Sequence, residues 1–267
     1  MIFDTHCHAY WDSLERRQDE VFRNMTEADV RRSVQIGTDL ETSRKALDLA
    51  RSRGEGVWCT AGMHPTGCQD LPPDSAGEIA EALENLIGAN RDKIVAVGET
   101  GLDYYHLTPG RESGQIRTQK AFFREQAALA IRLDLPLVIH TRNAPDMIDL
   151  MRQAGVSRAV IHCFSENYRF AQELLSWSSE VCFSFSGILT YRNALPVRET
   201  ARLLPLDRIL VETDSPFLVP QIVRDRYSVN EPAFTRHVMD VLKTVRDEPD
   251  DLVEQIVWEN SNRFYGL

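Results

Sequence analysis

Short apolar segments of this chain repeatedly end in, or just before, a residue that can bind a metal ion. The six residues concerned are His6, His8, Glu99, His140, His162 and Asp214. Parallel strands bring their C-terminal ends to one edge of a sheet, so side chains at those ends can meet. The arrangement therefore predicts one metal site assembled from several strands, and it favours a hydrolytic metalloenzyme.

The sequence alternates β-rich runs with longer helical patterns. Strands are predicted for Ile2 to His6, Ser33 to Gly37, Val57 to Ala61, Ile94 to Glu99, Leu137 to His140, Ala159 to Cys163, Val181 to Phe185 and Ile209 to Glu212. Helices are predicted for Thr42 to Ser52, Ser75 to Ala89, Gln115 to Leu133, Pro145 to Ala154, Tyr168 to Trp177, Glu231 to Val245 and Asp250 to Trp258. Such alternation indicates parallel pairing through right-handed crossovers, and eight repeats allow the sheet to close.

The predicted fold class is therefore a (β/α)8 TIM barrel, with a doubly wound open sheet as the main alternative. The six residues follow strands one, four, five, six and eight, and an open sheet can hardly bring these to one point. In a barrel, every C-terminal strand end faces the same mouth. The length of 267 residues suits one such barrel, so residues 1–267 are expected to form a single domain.

Composition limits the partners and the compartment. The net charge is −10, with 40 acidic against 30 basic residues, which argues against a broad surface for duplex DNA. No apolar run is long enough to span a membrane, and the N-terminus does not resemble an export signal. Five cysteines without a close CxxC pair suit a reducing compartment, so a cytoplasmic location is expected.

The motif Asp4-Thr5-His6-Cys7-His8 lies across the end of the first predicted strand. Residues two apart in a strand point the same way, so His6 and His8 can bind one cation together. A surface or core histidine pair is the alternative interpretation. Asp4 is expected to support the site or the fold rather than to be a ligand.

Glu99, His140 and His162 each end an apolar run. A carboxylate buried there is costly unless it is paired or metal-bound, and its two oxygens can bridge two cations. Neutral imidazoles suit zinc, manganese or iron better than magnesium or calcium. Either histidine alone could equally be a hydrogen-bonded core residue, but jointly with Glu99 they favour ligation.

Asp214 follows the eighth strand, where it could bind a cation and accept a proton from a metal-bound water; a loop or capping aspartate is the alternative. Two divalent cations against Glu99, Asp214 and a bridging hydroxide would leave about one positive charge in surplus. A phosphate ester fits that surplus better than a neutral amide or lactone.

A family resemblance runs through nearly the whole chain in a fixed order. The segments that carry it are DTHCH (4–8), GMHP (62–65), GETGLDYY (98–105), QKAFFREQAALA (119–130), PLVIHTR (136–142), HCFS (162–165), SFSGILTYRNA (184–194), ETDSPFL (212–218) and NEP (230–232). Together they resemble the TatD family of metal-dependent deoxyribonucleases. The resemblance implies a TIM-barrel hydrolase with two divalent cations, zinc, manganese or magnesium, and exonuclease activity on single-stranded DNA or a related phosphodiester.

The resemblance also implies roles for individual residues. His6, His8, Glu99 and Asp214 match the ligands of the first cation, and Glu99, His140 and His162 match those of the second. Glu99 and Asp214 are thus the expected catalytic residues. His64 matches a residue near the substrate phosphate, although a structural His-Pro turn is the alternative. Arg142 and Arg192 are further candidates for phosphate contacts, or else ordinary solvated arginines.

Two positions depart from the family pattern. Glu166 replaces the glycine of the usual HCFSG motif, and the segment before NEP carries Asp225 where the family is typically basic. Two rival functions stay open. One is an amidohydrolase or lactonase acting on a small molecule, which shares the barrel and the HxH motif, and the other is an inactive metal-bound scaffold, which Glu166 keeps open. The amidohydrolase or lactonase interpretation is disfavoured because the two-metal sites of those enzymes often bridge their metals with a modified lysine, whereas strand four here ends in Glu99.

Overall fold

Eight parallel strands form one sheet in which each strand pairs with its neighbours in chain order. In this computed structural model, residues 1–11 and 13–267 are described with their side chains and residue 12 by its backbone alone. The strands are β1 Ile2–Cys7, β2 Val30–Gln35, β3 Val57–Ala61, β4 Ile94–Asp103, β5 Leu137–Arg142, β6 Ala159–Ile161, β7 Cys182–Phe185 and β8 Ile209–Val211.

The helices surround this sheet. They are α1 Asp12–Glu15, α2 Gln18–Glu27, α3 Leu40–Arg53, α4 Pro65–Cys68, α5 Ala76–Gly88, α6 Glu112–Leu133, α7 Met147–Ala154, α8 Tyr168–Trp177, α9 Leu195–Leu203, α10 Thr235–Val245 and α11 Asp250–Tyr265. Short 3₁₀ turns lie at Pro73–Ser75, Gly187–Thr190, Leu206–Arg208, Gln221–Val223 and Pro232–Phe234. The predicted TIM barrel is confirmed.

All eight predicted strands are present, with different ends in most cases. The prediction for the fourth strand was too short, since β4 continues past Glu99 to Asp103. Its pairing with β5 shifts register between Val97 and Thr100, which the apolar pattern does not reveal. The last predicted helix also ends too early, because α11 continues to Tyr265.

Contacts between β1 and β8 close the barrel. The Asp214 N–H donates to the carbonyl of His6 at 2.9 Å, and the His8 N–H donates to the carbonyl of Ser215 at 2.8 Å. The buried Asp4 carboxylate accepts two further hydrogen bonds, from the Thr213 N–H at 2.8 Å and from the Thr213 hydroxyl at 2.7 Å. Asp4 therefore supports the fold, as the sequence indicated, and the residues that follow β8 lie against the histidines of β1.

Apolar side chains fill the barrel below the mouth. Val138, Val160 and Leu210 belong to one buried cluster, and each stands two positions before a polar residue of the mouth. Side chains two apart on a strand share a face, so this cluster lines the interior beneath the polar residues. Tyr265 of α11 belongs to the same cluster, and its hydroxyl donates a hydrogen bond to the carbonyl of Thr5 at 2.9 Å. The polar mouth thus rests on a rigid apolar floor.

Among the described residues, no helix is both long enough and apolar enough to cross a bilayer.

Glu254 of α11 joins two outer helices to the start of the chain. Its carboxylate accepts hydrogen bonds from Lys243 and from Arg236 of α10, the latter at 3.0 Å. Burial alone would raise the pKa of Glu254, but the Lys243 hydrogen bond, the Met1 amino group and the Arg236 charge outweigh it and lower the pKa to about 2. The ionised carboxylate is therefore favoured in the folded state.

We expect Glu254→Gln to lower the free energy of unfolding at pH 7 by about 1 kcal/mol, after allowance for solvent screening of this partly exposed group. Because the folded pKa lies below the unfolded one, the stabilisation is full above pH 4.5 and disappears as the pH falls towards 2. Urea unfolding of both proteins across this range measures it. Glu259→Gln, on the same helix, is the control and should change little. A difference between Glu254→Gln and the parent that persists at pH 2 would contradict the linkage.

Candidate metal centre

All six candidate ligands lie at the C-terminal mouth of the barrel. His6 and His140 lie within β1 and β5, and the other four lie within β4 or just beyond β1, β6 and β8. Most are buried, and their ligand atoms approach one another from five strands. Their predicted roles as ligands stay a prediction, which the geometry below supports.

One group of ligand atoms forms on the side of β1 and β8. Asp214 Oδ1 lies 3.5 Å from His6 Nε2 and 3.5 Å from His8 Nε2. Asp214 has a left-handed backbone conformation, with φ of 55°, which aspartate tolerates better than most residues. The three atoms belong to a set that lies within 4.8 Å of one another, the compactness that a shared cation requires.

A second group forms on the side of β5 and β6. His140 Nδ1 lies 3.1 Å from Glu99 Oε1 and 3.3 Å from His162 Nε2, and His162 Nε2 lies 2.8 Å from the same Glu99 oxygen. These three side chains are those expected to hold a second cation.

Glu99 stands between the two groups. Its Oε1 atom faces His140 and His162, whereas its Oε2 atom lies 3.4 Å from His6 Nε2. Burial opposes ionisation, but the electrostatic attraction of His162 and His64 and the hydrogen bonds of His140 and His162 outweigh it and hold the pKa of Glu99 well below its usual range. The ionised carboxylate thus offers one oxygen to each group, as a bridging ligand does.

Two further carboxylates orient the histidines of the second group, and the sequence interpretation assigned them no role. Asp103 Oδ2 lies 3.1 Å from His140 Nε2, and Glu212 Oε1 lies 3.3 Å from His162 Nδ1. Each carboxylate accepts a hydrogen bond from the nearer ring nitrogen, which fixes the proton there and turns the other nitrogen towards the space that a cation would fill. Burial opposes protonation, but the hydrogen bonds of His140 to Asp103 and Glu99, and for His162 the charge of Glu99 and the hydrogen bond to Glu212, outweigh it and raise the pKa of both histidines. A cation must therefore displace a proton from these rings. Both carboxylates are buried at strand ends, the same signal that identified Glu99.

His8 is oriented by the backbone instead. Its Nδ1 atom lies 3.0 Å from the carbonyl of Ile36, which also accepts the Tyr10 hydroxyl at 2.6 Å. Since a carbonyl only accepts, Nδ1 carries the proton and Nε2 keeps its lone pair towards Asp214.

His64 has the opposite tautomer. Its Nδ1 atom accepts the Thr66 N–H at 3.2 Å at the start of α4, so its Nε2 carries the proton in the neutral ring. That Nε2 lies 3.3 Å from Glu99 Oε1. In this tautomer His64 can donate a hydrogen bond to Glu99 or to an anionic substrate. His64 also forms a compact set with Glu99 and His140 that could hold a cation.

Gly62 allows His64 and Glu99 to come this close. A Cβ atom at Gly62 would lie 2.3 Å from the carbonyl carbon of Gly98, so a side chain there would collide with the backbone of β4. The two backbones touch directly at this point. The loop after β3 thereby places His64 over the residue that follows Gly98.

The remaining candidates are more exposed. Arg142 lies at the end of β5 with its guanidinium 4.1 Å from the centre of the Tyr105 ring, and Arg192 is exposed in the loop after β7. Glu166, half-buried after β6, has a pKa raised by burial. A surface cavity of about 430 Å³ beside α6, lined by residues 69–71, 73, 110–115, 117 and 118, includes none of the candidate ligands.

The residues present fit divalent cations. Both ring nitrogens of His6 are buried without a hydrogen-bond partner among the described residues, which is costly unless a cation occupies the space beside them. Burial and the nearby His162 lower the pKa of His6, which keeps its ring neutral. The mixture of imidazole and carboxylate donors suits zinc or manganese, and magnesium less well.

We expect Asp103→Asn to weaken metal binding about 10- to 100-fold, because His140 loses the charged partner that fixes its tautomer. Calorimetric titration of the metal-depleted protein with Mn²⁺ or Zn²⁺ measures this without any substrate. His106→Ala is the control, since His106 also contacts Asp103 Oδ2 but is half exposed and, among the described residues, belongs to none of the compact sets that could hold a cation. Parent-like affinity in Asp103→Asn would show that Asp103 does not support His140.

Known proteins resemble this chain along nearly its whole length. Residues 3–266 match the family model described as TatD related DNase. The chain is 34% identical to the uncharacterized metal-dependent hydrolase YcfH of Escherichia coli K12, covering 100% of this chain and 96% of that protein. It is 30% identical to the 3'-5' ssDNA/RNA exonuclease TatD of Klebsiella pneumoniae, covering 100% and 98%. The solved structure of YJJV, a TatD homolog from Escherichia coli K12, superposes with a TM-score of 0.88 at 25% identity, covering 100% and 98%.

Proposed function

Because this chain belongs to the family of TatD-related DNases and is thus a metal-dependent hydrolase, we propose that it hydrolyses phosphodiesters at single-stranded DNA ends. We propose that residues 1–267 act as one catalytic domain with two divalent cations. The first is held by His6, His8, Glu99 and Asp214, and the second by Glu99, His140 and His162. Zinc, manganese and magnesium are the candidate metals.

One observation carries this proposal: the two oxygens of Glu99 face different groups of histidines. A site for one cation would need only one of these groups. When bound, a pair of divalent cations acidifies the attacking water and neutralises charge on the phosphate. A buried carboxylate that reaches both groups supports such a pair.

Asp214 is the proposed proton acceptor. Burial would raise its pKa, but the hydrogen bond with His8 and the surrounding imidazoles outweigh this and lower it, so the carboxylate is ionised at neutral pH. Its Oδ1 atom faces both histidines of β1. From that position it can orient the attacking water and take its proton.

Phosphate recognition needs local cationic and donor groups. Two divalent cations with Glu99, Asp214 and a hydroxide would leave about one positive charge, but adding the buried Asp103 and Glu212 carboxylates brings the sum to about −1. We therefore assign the phosphate contacts to His64, whose Nε2–H points into the cluster, and to Arg142 at its rim. Their donors would select a phosphate oxygen without a broad basic surface.

Single-stranded ends are the proposed substrate for two reasons. The net charge of −10 disfavours contact with many phosphates, and a relative is named as an exonuclease on single-stranded DNA and RNA. RNA ends and small phosphodiesters are therefore secondary candidates. The five free cysteines suit a reducing compartment, and we propose the cytoplasm.

The rival functions make different demands on the site. A lactonase or amidohydrolase would not need the donors of His64 and Arg142. An inactive scaffold would keep the ligands without turnover. The experiments below separate all three.

We expect Asp214→Asn to lower turnover of single-stranded DNA by about 10² or more while the fold is kept, because general-base help alone is worth about 10² to 10⁴. Steady-state kinetics and circular dichroism measure the two effects. Asp207→Asn is the matched control, since Asp207 is exposed just before β8 and so lies at the opposite end of that strand. Parent-like turnover in Asp214→Asn would remove Asp214 from the reaction.

We expect chelation to abolish hydrolysis and Mn²⁺, Zn²⁺ or Mg²⁺ to restore it to different degrees. The reconstituted protein should prefer linear single strands to closed circles and duplexes, with a shallow salt dependence because few counterions are released. Parallel assays on linear and circular single-stranded DNA, duplex DNA, RNA, a chromogenic phosphodiester and a lactone test this over a salt series. Full activity without metal, faster lactone turnover, or equal rates on circles would each refute the proposal.

A further inference from the structure

Two exposed aromatic side chains stand beside the first group of ligands. Trp11 is 37% exposed and Phe217 is 48% exposed, and their ring centres lie 5.4 Å apart in an edge-to-face arrangement. The ring centre of the buried His8 lies 5.3 Å from that of Trp11 and 6.4 Å from that of Phe217. We call Trp11 and Phe217 the aromatic pair.

The position of the aromatic pair follows from the closure of the barrel. Trp11 comes shortly after β1, and Phe217 comes shortly after β8. The same backbone contacts that bring Asp214 to His6 therefore bring Phe217 to Trp11. The pair is part of the mouth, and it is not a scattered surface feature.

The Trp11 ring is supported from below. Tyr10 lies nearly parallel to it, with ring centres 6.2 Å apart and 13° between the planes. Tyr10 itself is buried, and its hydroxyl donates to the carbonyl of Ile36 at 2.6 Å. This backing holds a large aromatic surface in place at the rim, which reduces the entropy lost when a flat ligand stacks there.

The opposite side of the ligand cluster has a different chemistry. There the Arg142 guanidinium lies 4.1 Å from the centre of the Tyr105 ring, at the end of β5 beyond His140. The mouth is thus apolar and aromatic beside His8, and cationic beside His140. A nucleotide has the same two parts, a flat base and a charged phosphate.

We propose that the aromatic pair binds an unpaired nucleobase of the nucleotide whose phosphate lies at the ligand cluster. This inference rests on the proposed function and names the feature of the substrate that the site selects. Bases stack on aromatic side chains whatever their sequence, whereas a base inside a duplex is already stacked on both faces and is held by its partner strand. Trp11 is therefore a specificity-determining residue for unpaired ends.

The test measures binding separately from cleavage. A hydrolysis-resistant phosphorothioate trithymidylate is titrated into the metal-loaded protein, alongside two analogues that lack the base at the 3′ or the 5′ end. The base-bearing trimer should bind about 5 to 100 times more tightly than one of the analogues. In Trp11→Ala this ratio should fall towards one, and in Trp11→Phe most of it should return.

Two controls separate stacking from damage to the fold. Ile131→Ala removes an apolar side chain that is 54% exposed near the end of α6, at the opposite end of the barrel, and should keep the parent ratio. Thermal unfolding is measured for every variant, and Phe217→Ala replaces Trp11→Ala if the latter unfolds. A parent protein that binds all three trimers equally, or a ratio unchanged in a folded Trp11→Ala, would overturn the inference.

Cleavage of the unmodified trimer then tests the proposed function by itself. If the parent discriminates between the trimers but cleaves none of them, the proposed function fails and the aromatic pair stands as a base-binding site. If the parent cleaves the trimer without favouring the base-bearing end in binding, the proposed function stands and the inference is wrong.

Discussion

The seam between β1 and β8 is the interaction on which the mouth of this protein depends. Backbone hydrogen bonds join the His6 carbonyl to Asp214 and the His8 N–H to Ser215, and the Asp4 carboxylate adds two from Thr213. Without this seam the first group of ligands would be divided between two open edges. The same contacts place Phe217 beside Trp11, so the seam positions both the first group of ligands and the aromatic pair at the rim.

The second constraint is electrostatic. Buried carboxylates and imidazoles are stable only where each lone pair or proton has a partner. Here Asp103, Glu212 and the Ile36 carbonyl satisfy the outer ring nitrogens of three histidines, which leaves the inner nitrogens to converge. The unsatisfied nitrogens of His6 show that protein groups alone do not complete this network.

The sequence predicted the barrel and its candidate ligands because both depend on local signals. An apolar run ending in a histidine or carboxylate identifies a strand end, and alternation with helices fixes parallel pairing. These local signals predicted neither the extension of β4 to Asp103 nor the hydrogen-bond partners of the histidines. They depend on register shifts and on tertiary contacts.

Particular residues show where prediction from the sequence failed. Asp103 and Glu212 were overlooked although each is a carboxylate at the end of a buried strand, the criterion applied to Glu99. α2 and α9 were not predicted, although each buries apolar side chains, Val21 and Met25 in α2 and Val197 and Ala201 in α9. The tautomer of His64 depends on Thr66 at a helix start, and no spacing rule reveals it.

The contacts within the second group of ligands join residues that are closer along the chain than the residues joined at the seam. His140 is separated from His162 by 22 residues and from Glu99 by 41, whereas Asp4 and Thr213, at the seam, are 209 apart. Bringing distant segments together costs more loop-closure entropy than joining near ones, by about 0.6 kcal/mol for each doubling of the loop. Loop closure therefore costs less for the contacts among β4, β5 and β6 than for the seam. In this barrel the second group of ligands is built from local contacts, and the first group depends on the two ends of the chain meeting.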